Sequence, residues 1–178
     1  EYDGTTCTEV SVAGVTYEYL YGIAGSRDNL YVVGSSGIVL HYDGSVWSNI
    51  SDAGVTSNAS LNDVWASGTE AFAVGSGGTI IHISGTTLTA MESGTTEYLF
   101  GVWGASPTDL FAVGNSGTIL RYNGTSWSPM DTGGFSDQLN GVTGSSSSNV
   151  YAMGSRGFML RYNGSSWTQV SNPVGSSQ

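Results

Sequence analysis

Three features of the sequence predict an all-β fold. An eleven-residue phrase returns four times: "LHYDGSVWSNI" at 40–50, "IHISGTTLTAM" at 81–91, "LRYNGTSWSPM" at 120–130 and "LRYNGSSWTQV" at 160–170. Between turn residues, the apolar segments are 4–8 residues long and rich in Val, Ile, Leu, Tyr, Phe and Trp, which is a strand signature. No stretch of useful length places apolar residues at i, i+3, i+4 and i+7, as a helix would require. Leu20, Leu61, Leu99 and Leu139 open equivalent units, 41, 38 and 40 residues apart. A unit of about 40 residues with four antiparallel strands has the dimensions of a β-propeller blade.

The elements follow in order. Residues 1–10, "EYDGTTCTEV", align on "RYNGTSWSPM" with Cys7 in the Trp column, so they read as the last strand of an incomplete blade. Four complete blades are then expected over 11–50, 51–91, 92–130 and 131–170, with 171–178 as a tail. In each blade the first strand is "LYGIAG", "LNDVWA", "LFGVWG" or "LNGVTG", and the second ends in "YVVG", "FAVG", "FAVG" or "YAMG". The turns "GSSG", "GSGG", "GNSG" and "GSRG" lead into the third strand, with glycine expected for positive φ. "YDGS", "YNGT" and "YNGS" read as type I′ turns into the fourth strand. A single blade cannot bury both of its apolar faces, whereas stacked copies bury them against each other. Trp47, Trp127 and Trp167, with Leu88 as the weaker copy, are therefore expected to fill the seams; stacking on sugar rings is the alternative reading.

Composition narrows the partners. The 178 residues include four Arg, no Lys and fourteen acids, for a formal net charge of −10. Such a balance repels nucleic acid and anionic membrane surfaces. No run of about eighteen apolar residues is present to insert as a helix. Cys7 is the one cysteine; it is expected to be a small buried hydrophobe or a link to another chain. The chain opens in mid-phrase without an initiator Met, which suggests a processed or trimmed product. The lysine-free, Ser/Thr/Gly-rich composition suggests an extracellular or cell-surface setting.

The pattern L-x-G-V-W-G, then D-L-F-A-V-G-x-S-G-T-I-L-R-Y-N-G-x-S-W, resembles secreted bacterial propellers of the BNR/Asp-box class, which include photosystem II stability/assembly factor-like domains. The resemblance spans nearly the whole chain. It implies the fold and little else, because such repeats serve many unrelated proteins. "YDGSVW", "YNGTSW" and "YNGSSW" carry one residue fewer between Asp/Asn and Trp than an Asp-box does, so they form a degenerate or sister motif. An Asp-box is a structural turn, so it brings no catalytic group.

Sialidases share this blade type and require an arginine cluster, a Tyr nucleophile and an acid/base carboxylate. Here the arginines are Arg27, Arg121, Arg156 and Arg161. His41, His82, Arg121 and Arg161 form one column at the end of the third strand. They are either a cationic arc for an anionic ligand or, as expected here, partners of Asn29, Glu70, Asp109 and Asn149. There is no G-x-S-x-G elbow, no His/Cys metal cluster and no phosphate-cradling loop before a helix, and no cofactor is expected. Asp43 with Asp52, or Asp131 with Asp137, could meet calcium in a loop, although spaced loop acids are usually solvated.

Function is expected where the repeats differ. The segments joining blades emerge on one face with the second-to-third-strand turns, and rigid scaffolds commonly bind through such loops. Tyr17, Tyr19, Tyr98 and Phe135 are the candidate binding aromatics there; capping the core is their alternative role. The expected function is non-enzymatic recognition or adhesion of a protein or glycan. The alternative is a structural subunit of a surface assembly or filament, self-associating through open blade edges. A sialidase-like glycosidase is a more distant reading.

Overall fold

The computed structural model describes residues 5–6, 8–16 and 18–170. Sixteen strands form four antiparallel four-stranded sheets, each in simple up-and-down order. Blade 1 comprises β1 (Leu20–Ser26), β2 (Asn29–Gly34), β3 (Val39–Tyr42) and β4 (Trp47–Asn49). Blade 2 comprises β5 (Leu61–Ser67), β6 (Glu70–Gly75), β7 (Ile80–Ser84) and β8 (Thr87–Met91). Blade 3 comprises β9 (Leu99–Ser106), β10 (Asp109–Gly114), β11 (Ile119–Tyr122) and β12 (Trp127–Pro129). Blade 4 comprises β13 (Leu139–Ser146), β14 (Asn149–Gly154), β15 (Met159–Tyr162) and β16 (Trp167–Gln169). The first strands pack on one another in the series β1, β5, β9, β13, so they are the innermost strands.

Each seam is built from two columns of side chains. Toward the next blade, β2-type strands present Tyr31, Phe72 and Phe111, all buried. Toward the preceding blade, inner strands present Leu61, Leu99 and Leu139, also buried. Phe72 meets Trp127 edge-on at 6.3 Å and Phe111 meets Trp167 at 6.2 Å. Leu88 takes the Trp place against Tyr31 in the first seam. Edge-to-face pairs of this kind add to the gain from burying the rings. Trp127 and Trp167, both buried, are therefore seam filler, whereas Trp47 is half-buried on the outer face of blade 1.

The two glycines of the second turn are required for different reasons. Gly34, Gly75, Gly114 and Gly154 are extended, with φ between −171° and −135°. They are glycine because a Cβ would land on the backbone oxygen of Tyr19, Ser60, Tyr98 or Gln138. The left-handed pair comes afterwards, and its first member is Ser36, Gly77, Ser116 or Arg156. The third turn is not type I′: only Gly44, Gly124 and Gly164 have positive φ in "DGS" and "NGT/NGS". Instead the side chain of Asp43, Asn123 or Asn163 accepts the two N–H groups that follow at 2.9–3.0 Å, which is a side-chain-closed turn. Blade 2 uses a two-residue turn with Gly85 at φ 60°.

The strand expected over 1–10 falls largely outside the described residues: residues 1–4 and Cys7 are not described, and Thr5, Thr6 and Thr8–Val10 lie in none of the sixteen strands. Nearby, Val12 and Val15 pack on Val32, Ile38 and Leu40 of blade 1. The chain also contains a one-turn helix, α1 (Ala53–Thr56), where none was expected; Asp52 caps it by accepting Gly54 N–H at 2.9 Å. Asp43 and Asp131 likewise close turns, Asp131 on Gly133 N–H at 2.8 Å.

Candidate functional site

The links between blades are seated on the second turns, so both lie on one face. The backbone oxygens of Tyr19, Ser60, Tyr98 and Gln138 accept N–H from Ser35, Ser76, Asn115 and Ser155 at 2.8–3.0 Å. The link residues Thr56, Thr95 and Phe135 lie where a Cβ on Gly37, Gly78 or Gly117 would fall. Each variable link is therefore clamped to a conserved-geometry turn, and its exposed side chains are held by rigid backbone.

A β-bulge opens every inner strand at this face. Leu20 pairs with Gly34 and Gly22 with Val33, leaving Tyr21 as the extra residue. The same slip leaves Asn62, Phe100 and Asn140 extra in the other blades. Bulges re-aim side chains, and they concentrate beside functional sites. Tyr19 is 72% exposed, Tyr98 50% and Tyr21 51%. Tyr98 stacks on Phe100 with ring centres 6.4 Å apart. Asn62 Nδ2 donates to Leu99 O of the next blade at 2.7 Å. Glu18 is held by the Ser35 hydroxyl.

The expected aromatic set is divided by this geometry. Tyr19 and Tyr98 occupy the same column at the mouth of the inner strands, in blades 1 and 3. Phe135 does not join them: it turns inward onto Phe158 at 5.6 Å and packs against the blade 3–4 core. Tyr17 and Cys7 lie outside the described residues. Tyr21 and Phe100 were missed by sequence reasoning. The signal available for them was one aromatic in the second position of "LYG" and "LFG", beside the repeat's invariant frame.

The face is acidic. Glu18, Asp52, Glu92, Glu97, Asp131 and Asp137 lie on the links, and the one cation among the described residues there, Arg156, is tied to Asp137 at 3.5 Å.

The cationic column lies toward the opposite face, and its members are all engaged. His41 Nε2 meets Asn29 Oδ1 at 2.6 Å, and His82 Nε2 meets Glu70 Oε2 at 2.6 Å. Arg121 donates to both Asp109 oxygens at 2.9 and 3.2 Å, and Arg161 Nε donates to Asn149 Oδ1 at 3.3 Å. Each also covers the seam ring opposite it: His41 on Tyr31 at 4.7 Å, His82 on Phe72 at 4.6 Å, Arg121 on Phe111 at 5.2 Å and Arg161 on Tyr151 at 5.8 Å. The column locks strands together and closes over the core. Hydrogen bonds from Ser84 and His82 hold the Glu70 carboxyl below its usual range.

Asp63 is the one carboxylate at the inner seam among the described residues. It stands where the other blades have Gly22, Gly101 and Gly141, and it accepts N–H from Val64 and from Val102 of the next blade, both at 2.9 Å. Burial pushes its pKa above the ordinary 3.8, and the two backbone hydrogen bonds oppose the rise. A raised folded pKa means the folded chain binds more protons than the unfolded one between 3.8 and the folded value. Stability therefore falls as pH rises through that window. Asp63→Asn should abolish this slope. Urea melts from about pH 3 to about pH 7 should show wild type losing ground to the variant and then levelling. A pH-independent difference would contradict the assignment.

No protein-family model matches the chain, and no curated protein matches it. Solved structures do. YCF48 from Cyanidioschyzon merolae superposes with a TM-score of 0.64 at 21% identity, over 89% of this chain and 58% of that one. YCF48 bound to D1 peptide gives 0.56 at 17% identity, over 90% and 69%. The WD40 β-propeller domain of Doa1 gives 0.67 at 9% identity, over 86% and 53%. The four sheets are β-propeller blades, and the chain spans 58% of the Cyanidioschyzon merolae YCF48 structure, 69% of the peptide-bound one and 53% of the Doa1 domain.

Proposed function

We propose that this chain is a non-enzymatic recognition segment that binds a protein partner through the bulged, link-bearing face. The observation that supports this reading is the mouth of the inner strands. Exposed Tyr19, Tyr21 and Tyr98, with Phe100 stacked beneath Tyr98, are set among Glu18, Glu97 and Asp137 on clamped backbone. Rigid aromatics give contact area at little entropic cost, and Tyr is a frequent hot spot. The surrounding acids favour a partner segment carrying Arg or Lys beside an apolar or aromatic residue. YCF48 has been solved with a peptide bound, which supports a peptide as the ligand class for such a fold. Work outside the cell fits the low-charge, lysine-free composition and is part of the proposal.

The test is an array of short peptides graded in charge and aromatic content, read beside a glycan array. Basic-aromatic peptides should bind, more weakly as salt rises. Tyr98→Ala should cut affinity about tenfold or more, as hot-spot truncation does. Arg121→Ala should leave affinity unchanged while lowering the melting temperature, because it lies toward the opposite face. Binding confined to glycans, or lost with Arg121→Ala alone, would overturn the reading.

A further inference from the structure

No further blade packs, among the described residues, on the outer side of blade 1 or of blade 4. Among the described residues, β13 and β1 show no packing like that of the internal seams. Leu20 is 52% and Ile23 64% exposed, although Leu61, Leu99 and Leu139 in the Leu20 column are fully buried. Leu20, Ile23, Leu30, Leu40, Tyr42 and Trp47 line an open groove of about 510 Å³. Val10 and Val12 line it from the N-terminal segment. On blade 4, Met153 is 45% exposed where Val33, Val74 and Val113 are buried.

These two open faces are the two halves of one seam, already in seam geometry. In the blade 3–4 seam, Phe111 carries Arg121 on one side, and the Tyr162–Trp167 pair, 5.3 Å apart, answers on the other. Arg121 Nη1 reaches Tyr162 Oη at 3.4 Å. Blade 4 repeats the first half with Tyr151 under Arg161. Blade 1 repeats the second half with Tyr42 and Trp47, 5.2 Å apart at 31°, against 35° for Tyr162 and Trp167.

The backbone agrees. A Cβ on Gly22 would meet the next inner strand at Asp63 Cα at 3.0 Å, and one on Gly101 would meet Gly141 Cα at 3.0 Å. Gly141 has the same residue but no strand beyond it: its Cβ would meet only Met153, at 3.8 Å. Gly141 thus leaves the same close space for a further inner strand that Gly22 and Gly101 leave for theirs.

We infer that a second copy of this chain docks head to tail on both open faces, closing two four-blade arcs into one ring. Arg161 and Tyr151 of each copy then cover Tyr42 and Trp47 of the other. Two such seams form at once, so association stops at the dimer rather than growing into a filament. Eight blades lie at the upper end of the roughly four to eight that propellers use. The outer edges are poor alternatives: β4, β12 and β16 are three residues long and β8 five, and short edge strands discourage edge pairing.

The test is sedimentation velocity of the whole 178-residue chain across a concentration series, with Ile23→Glu and Met153→Glu. Both positions are exposed in the single chain, so circular dichroism should match wild type. Wild type should sediment at twice the 18.4 kDa chain mass. Each variant alone places a charge in both seams and should weaken dimerisation on the order of a hundredfold or more. Mixing the two variants restores one intact seam, so mixed dimers should reappear. Monomeric wild type, open-ended polymers or mixtures that stay monomeric would each overturn the inference. A dimer sensitive to Ile23→Glu but indifferent to Met153→Glu would also overturn it, because it indicates a symmetric blade 1 contact.

Discussion

Gly117→Ala is expected to cost about 3 kcal/mol or more of folding stability, a fall of roughly 6–12 °C in Tm for a chain of this size. Two penalties coincide at this position. Its φ is +67°, and a Cβ would land on the backbone oxygen and carbonyl carbon of Phe135. A left-handed φ alone costs about 1–2 kcal/mol with a side chain present. The clash adds more, because the opposing atoms are backbone of the blade 3–4 link and cannot swing away. Ser116→Gly, one residue earlier, is the control. Ser116 is also left-handed, at φ 55°. Relief of that strain and the added freedom of the unfolded chain nearly cancel, so its effect should stay within about 0.5 kcal/mol. Urea denaturation of the two variants decides the matter, and a tolerated Gly117→Ala would show that the link does not rest on the turn.

Phe111→Ala is expected to cost about 3–5 kcal/mol, the range for removing a fully buried aromatic. Phe111 is buried, with Trp103, Tyr162 and Trp167 around it and Arg121 across its face. Its loss opens a cavity in the seam and strips Arg121 of its platform. Tyr151→Ala removes the equivalent ring of blade 4, which no further blade covers, and should cost less than half as much in the monomer. The gap between the two variants should narrow at concentrations where the ring dimer forms. Equal losses at the lowest concentration measured would mean that blade 4 is already covered within the single chain.

Much of this architecture could be read from local pattern. Strand count, strand order and the seam aromatics followed from the apolar alternation and from Trp47, Trp127 and Trp167 returning in register. The ties of His41, His82, Arg121 and Arg161 were legible because each partner lies twelve residues earlier, across one hairpin. A hairpin's register is set by its own turn, so the information is local.

What the tertiary structure decided lies between blades. The reach of Asp63 to Val102 depends on backbone 39 residues away in sequence. The inward turn of Phe135 onto Phe158, and the glycines that are extended because link oxygens press on them, depend on contacts that no single strand's alternation encodes. No period-two pattern encodes how closely one sheet can approach the next. The sequence by itself determined the blades and the columns that fill their seams. Packing between blades determined how Asp63 is used and which two faces remain open, because those outcomes depend on contacts that exist only once the sheets are stacked.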